Sequence, residues 1–283
     1  MSKYHLMHCI PNPSMHGLNG YKDVIDTVAW GLAQLGHEVS YKVNKYLPKS
    51  INIIFGAQVL PVEFMKKFSD ETIVYNFEQM RGSAGTQLRP EAHYHAQNFQ
   101  IWDYSRENLD AWASIGDRQV KIVPVGYAPV LRRIARPEKQ DIDVFIYGLT
   151  GSGRLTAFHA LSKAGLSTVF ASGLYGEARD NLIARSKIVL NINLYKKSQI
   201  FEIVRVSYLL ANKKAVVATL DANTAVEDDI RPCVRFTTPD ELVSECVSLI
   251  RNDESRINLE NTGFDIFSRR DIREILTSAL HKS

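Results

Sequence analysis

No stretch of about 18 uninterrupted apolar residues occurs, so no segment is expected to cross a bilayer as a helix, and any membrane contact is expected to be peripheral. Residues 1–10 also lack the apolar block of a secretory signal. Cysteine is scarce: Cys9, Cys233 and Cys246 form neither a metal-binding spacing nor a disulfide framework, which suits a reducing, cytoplasmic setting. Charge of one sign is lacking too, since 34 Lys and Arg against 31 Asp and Glu leave only +3, too little to argue for a nucleic-acid binder by composition. No acidic pair suggests a resident metal, and neither short repeats nor low-complexity tracts appear. A hydrophobic share of 45% is enough to offset the ordering entropy of a globular chain, and 283 residues suggest two domains at roughly 150 residues each.

What is present is an alternation of short apolar runs with helical patterns from end to end, the mark of an α/β protein with parallel sheets. Strands are expected at Tyr4–Ile10, Glu38–Val43, Ile51–Phe55, Thr72–Asn76, Gln100–Asp103 and Val120–Pro124. Helices are expected at Tyr21–Leu35, Val62–Phe68, Glu91–Asn98 and Arg106–Ile115. Val24, Val28, Leu32 and Leu35 share one face, and Gly36 is a natural C-cap. The pattern lapses from Gly126 to Asp141, then restarts with the strand Asp143–Gly148, a helix at Arg154–Lys163, and strands at Thr168–Ala171, Ile188–Asn191, Ala215–Ala218 and Val234–Phe236. We therefore expect an N-terminal domain at 1–127, a linker at 128–141 and a second domain at 142–265. Residues 266–283 are set apart as a terminal segment, its helical stretch Phe264–Leu280 either capping the second domain or returning to the first.

The turn Gly148-Leu-Thr-Gly151-Ser-Gly153-Arg154 follows a strong strand and opens a helix, where free N–H groups and the helix dipole attract phosphate. It matches the phosphate loop of nucleotide hydrolases at its two outer glycines, but Arg154 and Leu155 stand where lysine and a hydroxyl are needed, and the dinucleotide fingerprint lacks its third glycine. A plain tight turn is the alternative. Downstream, Lys197 sits beside a helix that Ser198 is placed to cap, with Glu202 in the first turn positioned to accept ribose hydroxyls or merely to stabilise the dipole. Arg205 either binds phosphate or pairs with Glu202. Tyr175 either stacks on a base or packs its own loop.

In the first half, the long loop Pro11–Gly20 carries Gly17, Asn19 and Gly20, which permit close approach to an acceptor, and His16, a base or simply a solvated side chain. Glu78 and Asp103 end expected strands, where α/β sites gather but where caps are also common. His93 and His95, two apart on a helix, point away from each other and lack a third metal ligand. Basic pairs at Arg132-Arg133, Lys196-Lys197, Lys213-Lys214 and Arg269-Arg270 are either solvated surface or a track for DNA.

The runs Tyr75–Gln79, Ile101–Ser105, Val123–Tyr127, Leu174–Asp180 and Ile200–Asn212 resemble those of bacterial group 1 glycosyltransferases, particularly the CgeB-like branch, over roughly residues 70–270. The resemblance implies a GT-B architecture, an α/β fold of two Rossmann-like domains facing across a cleft, with the acceptor mainly on the first and a nucleoside diphosphate sugar, UDP-linked by expectation, mainly on the second. It implies a sugar transferase that works without a bound metal or other cofactor. Carried over by position, Gly148, Gly151, Gly153, Arg154, Lys197 and Ser198 would meet the diphosphate, Glu202 the ribose and Tyr175 the base. Many retaining members carry two glutamates separated by seven residues. Here Leu194 and Leu210 stand at those distances from Glu202, so an inverting enzyme using His16, Glu78 or Asp103 as base is equally in view. The acceptor is a glycan, glycolipid, protein or, as in phage-type enzymes, hydroxymethylated DNA. A GT-B protein that binds nucleotide sugar without transferring it, and a magnesium-dependent nucleotide hydrolase, are the alternatives.

Overall fold

The computed structural model describes residues 1–10, 12, 16–80, 90–116, 120–193 and 200–281. The chain divides into two compact units, one made of Met1–Ala128 with Arg270–Ser283, the other of Pro129–Arg269.

The first unit is built on a six-stranded parallel sheet of β1 (Lys3–His8), β2 (Glu38–Val43), β3 (Ile51–Phe55), β4 (Ile73–Asn76), β5 (Gln100–Asp103) and β6 (Lys121–Ile122), in the order β2-β1-β3-β4-β5-β6. β3 and β4 are buried almost throughout, as a parallel sheet covered on both faces requires, whereas the edge strand β2 is largely exposed. Helix α1 (Lys22–Gln34) buries Val24, Val28, Gly31 and Leu32. It ends at Gly36, whose φ of +83° lets the His37 N–H reach back to the Leu32 carbonyl (3.1 Å). The remaining helices, α2 (Val62–Met65), α3 (Pro90–Asn98) and α4 (Leu109–Ala113), are short. Two of them fall short of the sequence expectation. α2 stops at Met65, and the pattern from Arg106 opens as a 3-10 turn (Arg106–Asn108) because the Ser105 hydroxyl accepts from the Glu107 N–H (3.3 Å) before α4 begins.

The second unit holds a five-stranded parallel sheet of β7 (Ile142–Tyr147), β8 (Thr168–Ala171), β9 (Ser186–Asn191), β10 (Ala215–Thr219) and β11 (Arg235–Thr237), ordered β11-β10-β9-β7-β8. Its helices are α5 (Ser152–Lys163), α6 (Gly176–Arg185), α7 (Ile203–Ala211), α8 (Leu242–Arg251) and α9 (Asp253–Phe267). Val144, Ile146, Ile188, Leu190, Ala215 and Val217 form the sheet side of one core, against Leu161 from α5 and Leu242 and Leu249 from α8.

The segment expected as a linker is fastened to this unit from Pro129 onward. Asn212, at the C-terminus of α7, accepts from the N–H groups of Arg133 and Ile134 (both 2.9 Å) and donates to the carbonyls of Leu131 (2.9 Å) and Tyr208 (2.8 Å). Arg136 pairs with the buried Glu260 (2.7 Å). At the other end, the helix expected over Phe264–Leu280 is two helices. α9 stops at Phe267, and Asp271 caps a new one, α10 (Ile272–Leu280), by accepting from the Arg273 N–H (2.8 Å). α10 belongs to the first unit, where Leu276 and Ile272 press so closely on α1 that a Cβ at Gly31 would lie 2.7 Å from Leu276. The Lys121 ammonium ties down its end by donating to the Ala279 carbonyl (2.7 Å).

Candidate functional site

In the second unit β7 and β9 are neighbours, but the chain leaves β7 toward β8 on one side and continues from β9 toward β10 and β11 on the other. Loops that follow such a pair diverge and leave a crevice at the carboxyl edge of the sheet, the usual ligand position in open α/β folds. The described residues next after β7 and β9 stand at this edge of the sheet. Gly148 has a φ of +123°, and a Cβ there would lie 2.8 Å from Arg154 Nη1 and 2.9 Å from Arg205 Nη2, so a side chain at this position meets two guanidinium groups. Gly151 is the N-cap of α5 without a side-chain acceptor, leaving first-turn N–H groups uncapped. Gly153 is less constrained, since a Cβ there would come no nearer than 3.7 Å to Ile192.

Arg205 pairs with Glu202 (2.9 Å), donates to Asn191 Oδ1 (3.3 Å) and lies over the Tyr147 ring (5.3 Å). Arg154 reaches the other Glu202 oxygen at 3.4 Å. Two cations thus share one carboxylate, which leaves the cluster net positive. Burial, with Arg205 adding to it, pushes the Arg154 pKa down to about 10, so it stays charged near neutrality. Tyr175 is half-buried just before α6; burial raises its pKa while the charges of Arg205 and Arg179 oppose the rise, so it stands within the electrostatic reach of Arg205.

The expected capping of α7 by Ser198 is corrected. The helix starts at Ile203 with Glu202 itself at the cap position, because Ile200 bridges to Ala225 and the Phe201 N–H is spent on the Ala225 carbonyl (3.0 Å). Lys197 and Ser198 lie outside the described residues. Sequence reasoning missed Asn191 and Tyr147. Asn191, a fully buried amide ending the apolar run Ile188–Leu190, was the visible signal.

The first unit has the same kind of junction between β1 and β3. There the neutral His8 ring donates from Nε2 to the Leu18 carbonyl (2.8 Å) and accepts at Nδ1 from Tyr41 (3.2 Å), its pKa lowered by burial. This fastens the turn His16–Tyr21, which contains Gly17, Asn19 and Gly20, to the sheet edge; the His16 side chain lies outside the described residues. Gly20 has open space around it. Glu78, exposed after β4, is held through Oε1 by the buried Tyr21 hydroxyl (2.5 Å) and by Gln58 (2.9 Å).

Asp103 is different. It is 0% exposed and accepts from Trp112 Nε1 (2.6 Å), Asn76 (2.8 Å), Asn108 (3.0 Å) and the Ser105 N–H (2.9 Å), with its pKa raised to about 6 by burial. A carboxylate without surface has no path to an acceptor. Asn76 and Asn108 instead both donate to the Glu78 carbonyl (2.9 Å each), so Asp103 organises the segment that carries Glu78.

His93 is exposed on α3, whereas His95 is buried against Met65, its Nε2 lying 3.1 Å from Sδ, and its pKa falls to about 4. Among the described residues no group of three or more His, Cys, Asp or Glu is disposed to hold a metal. Lys214 contributes no surface charge. It is buried, donates to the Ser186 carbonyl (2.6 Å), and has its pKa lowered to about 8 by desolvation. Arg132 and Lys213 both lie on the Phe264 ring (5.1 and 4.8 Å).

The chain is similar to AviGT4, described as a glycosyltransferase involved in avilamycin A biosynthesis, at 17% identity, covering 98% of this chain and 96% of that one with a TM-score of 0.59. It is similar to Anabaena Alr3699/HepE in complex with UDP and glucose at 13% identity, covering 99% of each with a TM-score of 0.64. The sucrose-phosphate synthase from Thermosynechococcus elongatus aligns at 10% identity over 99% and 98% with a TM-score of 0.57. The fold is GT-B. No protein-family model and no curated protein sequence matches the chain. At these identities the likeness speaks for the GT-B fold, and the chemistry rests on the residues described above.

Proposed function

We propose that this GT-B protein is a glycosyltransferase, of the CgeB-like branch, that moves a sugar from a nucleoside diphosphate sugar, UDP-linked, to an acceptor hydroxyl. The observation that carries the reading is the arrangement at Gly148: two guanidinium groups and an uncapped helix end meet at the β7/β9 junction with one carboxylate among them. A diphosphate supplies the missing negative charge. The UDP and UDP-glucose complexes of Alr3699/HepE are in keeping with it.

In this reading Arg205 and the N–H groups around Gly151 and Gly153 hold the diphosphate, joined by Lys197 and Ser198, while Glu202 meets the ribose and Tyr175 the base. In the transfer the bond from the anomeric carbon to the β-phosphate oxygen breaks, the acceptor oxygen bonds to that carbon, and the hydroxyl proton passes to a base. Glu78 suits that role in the first unit because it is exposed and held in orientation by Tyr21 and Gln58, with His16 as the second candidate and Gly17, Asn19 and Gly20 forming the acceptor loop.

The test is a thermal-shift screen of UDP, GDP, ADP, CMP and their sugars. Ligand at a hundredfold above its dissociation constant adds about 2.7 kcal/mol of stability, readily seen as a raised melting temperature. One nucleotide should shift wild type and fail to shift Glu202→Ala; no shift with any nucleotide overturns the reading.

A further inference from the structure

Arg154 is the cationic side chain that follows the loop after β7, and its sequence position invites the role of phosphate ligand. Its placement is otherwise. The side chain is 1% exposed. Its Nε and Nη2 both donate to the Ile192 carbonyl (2.9 and 2.8 Å), one residue past the end of β9, and its Nη1 donates to the Leu149 carbonyl (2.8 Å), two residues past the end of β7. Nη2 also faces Glu202 Oε1 at 3.4 Å. One planar fork therefore grips the main chain on both sides of the junction and touches the carboxylate that opens α7. Arg205, by contrast, is partly exposed and engages side chains.

We propose that Arg154 is a positioning residue of the nucleotide site: it sets the spacing of the loops after β7 and β9 and aims Glu202, and Arg205 carries the charge that meets the diphosphate. This inference rests on the nucleotide-sugar reading above. It accounts for Gly148, where any side chain collides with the guanidinium doing the gripping. It also separates charge from shape: a lysine at 154 keeps the charge but has no fork with which to bond both carbonyls at once.

The experiment is calorimetric binding of UDP, or of whichever nucleotide the thermal screen selects, to wild type, Arg154→Lys and Arg205→Met over a range of salt. Arg154→Lys is expected to weaken binding by about tenfold, the cost of misaligning a hydrogen bond to the ligand, while keeping the wild-type dependence of affinity on salt. Arg205→Met is expected to weaken binding and flatten that dependence, because a screened charge–charge contact is gone. Wild-type affinity in Arg154→Lys, or a loss confined to its melting temperature without ligand, overturns the inference.

Should Arg154→Lys fail to fold, arginine Nε–H resonances of the wild type decide. The Arg154 signal should be protected from exchange before ligand is added and barely move on addition of UDP, with the Arg205 signal moving. A large shift of Arg154 or an exposed Nε–H overturns the proposal. If wild type binds none of the nucleotides, it is the functional reading that fails, a result distinct from binding that ignores Arg154→Lys.

Discussion

Asp103 and His95 are buried titratable groups of the first unit with opposite effects on stability. The native state holds the Asp103 proton more tightly than the unfolded chain does, with a pKa of about 6 against an ordinary value near 3.9. Its contribution is therefore full below about pH 4 and lost as pH rises through about 6, an effect of about 3 kcal/mol. His95, neutral when native with a pKa of about 4, contributes above about pH 6.5 and loses that contribution as pH falls. Because the two windows overlap, the difference between variant and wild type is the informative quantity. Asp103→Asn should abolish the Asp103 slope in urea unfolding between pH 4 and 7. It should also cost about 1–3 kcal/mol, since its amide NH2 must face donors such as Trp112 Nε1.

At this scale the sequence was readable in part. Glycines after a strand and charged residues near a helix start drew attention to Gly148, Arg154, Glu202 and Arg205, which the fold of the second unit brings together. Whether a given Arg is consumed by main-chain carbonyls, or a given Asp by buried N–H donors, depends on segments that meet across the sheet, as Arg154 meets Ile192 and Asp103 meets Asn76, and no local pattern carries that.

Among the elements, strands were the most legible, since β3, β4 and the Ile188–Leu190 part of β9 are apolar runs bounded by turns or polar residues. Boundaries set by distant partners were not. The start of α7 depends on Ile200 bridging to Ala225, and the split between α9 and α10 on a cap at Asp271 inside an otherwise helical pattern. The segment after Pro129 reads as a linker by composition, yet Asn212 binds it through three backbone groups. Asn212→Ala should destabilise the second unit by about 1–3 kcal/mol and loosen this segment. Limited trypsin digestion, with the time course of cleavage after Arg132 and Arg133 as readout, should reveal faster cutting in the variant while wild type resists.

For the whole molecule, both sheets repeat one plan, a parallel order in which the chain reverses direction next to the first strand of the unit, so each has a junction at its carboxyl edge. The first unit is completed by a segment from the far end of the sequence. Ile272 and Leu276 are buried to 1% and 0% exposure, each worth about 1.5–3 kcal/mol, a large share of the usual margin of about 5–15 kcal/mol. A chain ending at Arg269 should therefore lose hydrogen-exchange protection in α1 and β1 while β7 and β9 keep theirs; equal protection in both forms would show that α10 is dispensable.

That discontinuity bears on how the protein is made. A ribosome adding about 5–20 residues per second delivers all of Pro129–Arg269 before the last helix of the first unit emerges, a delay on the order of ten seconds. Through that interval the nascent chain carries α1 with the face around Gly31 bare, and the portion synthesised second is the first able to close its core. Until α10 emerges, the newborn N-terminal half is the part that presents an unfinished apolar face.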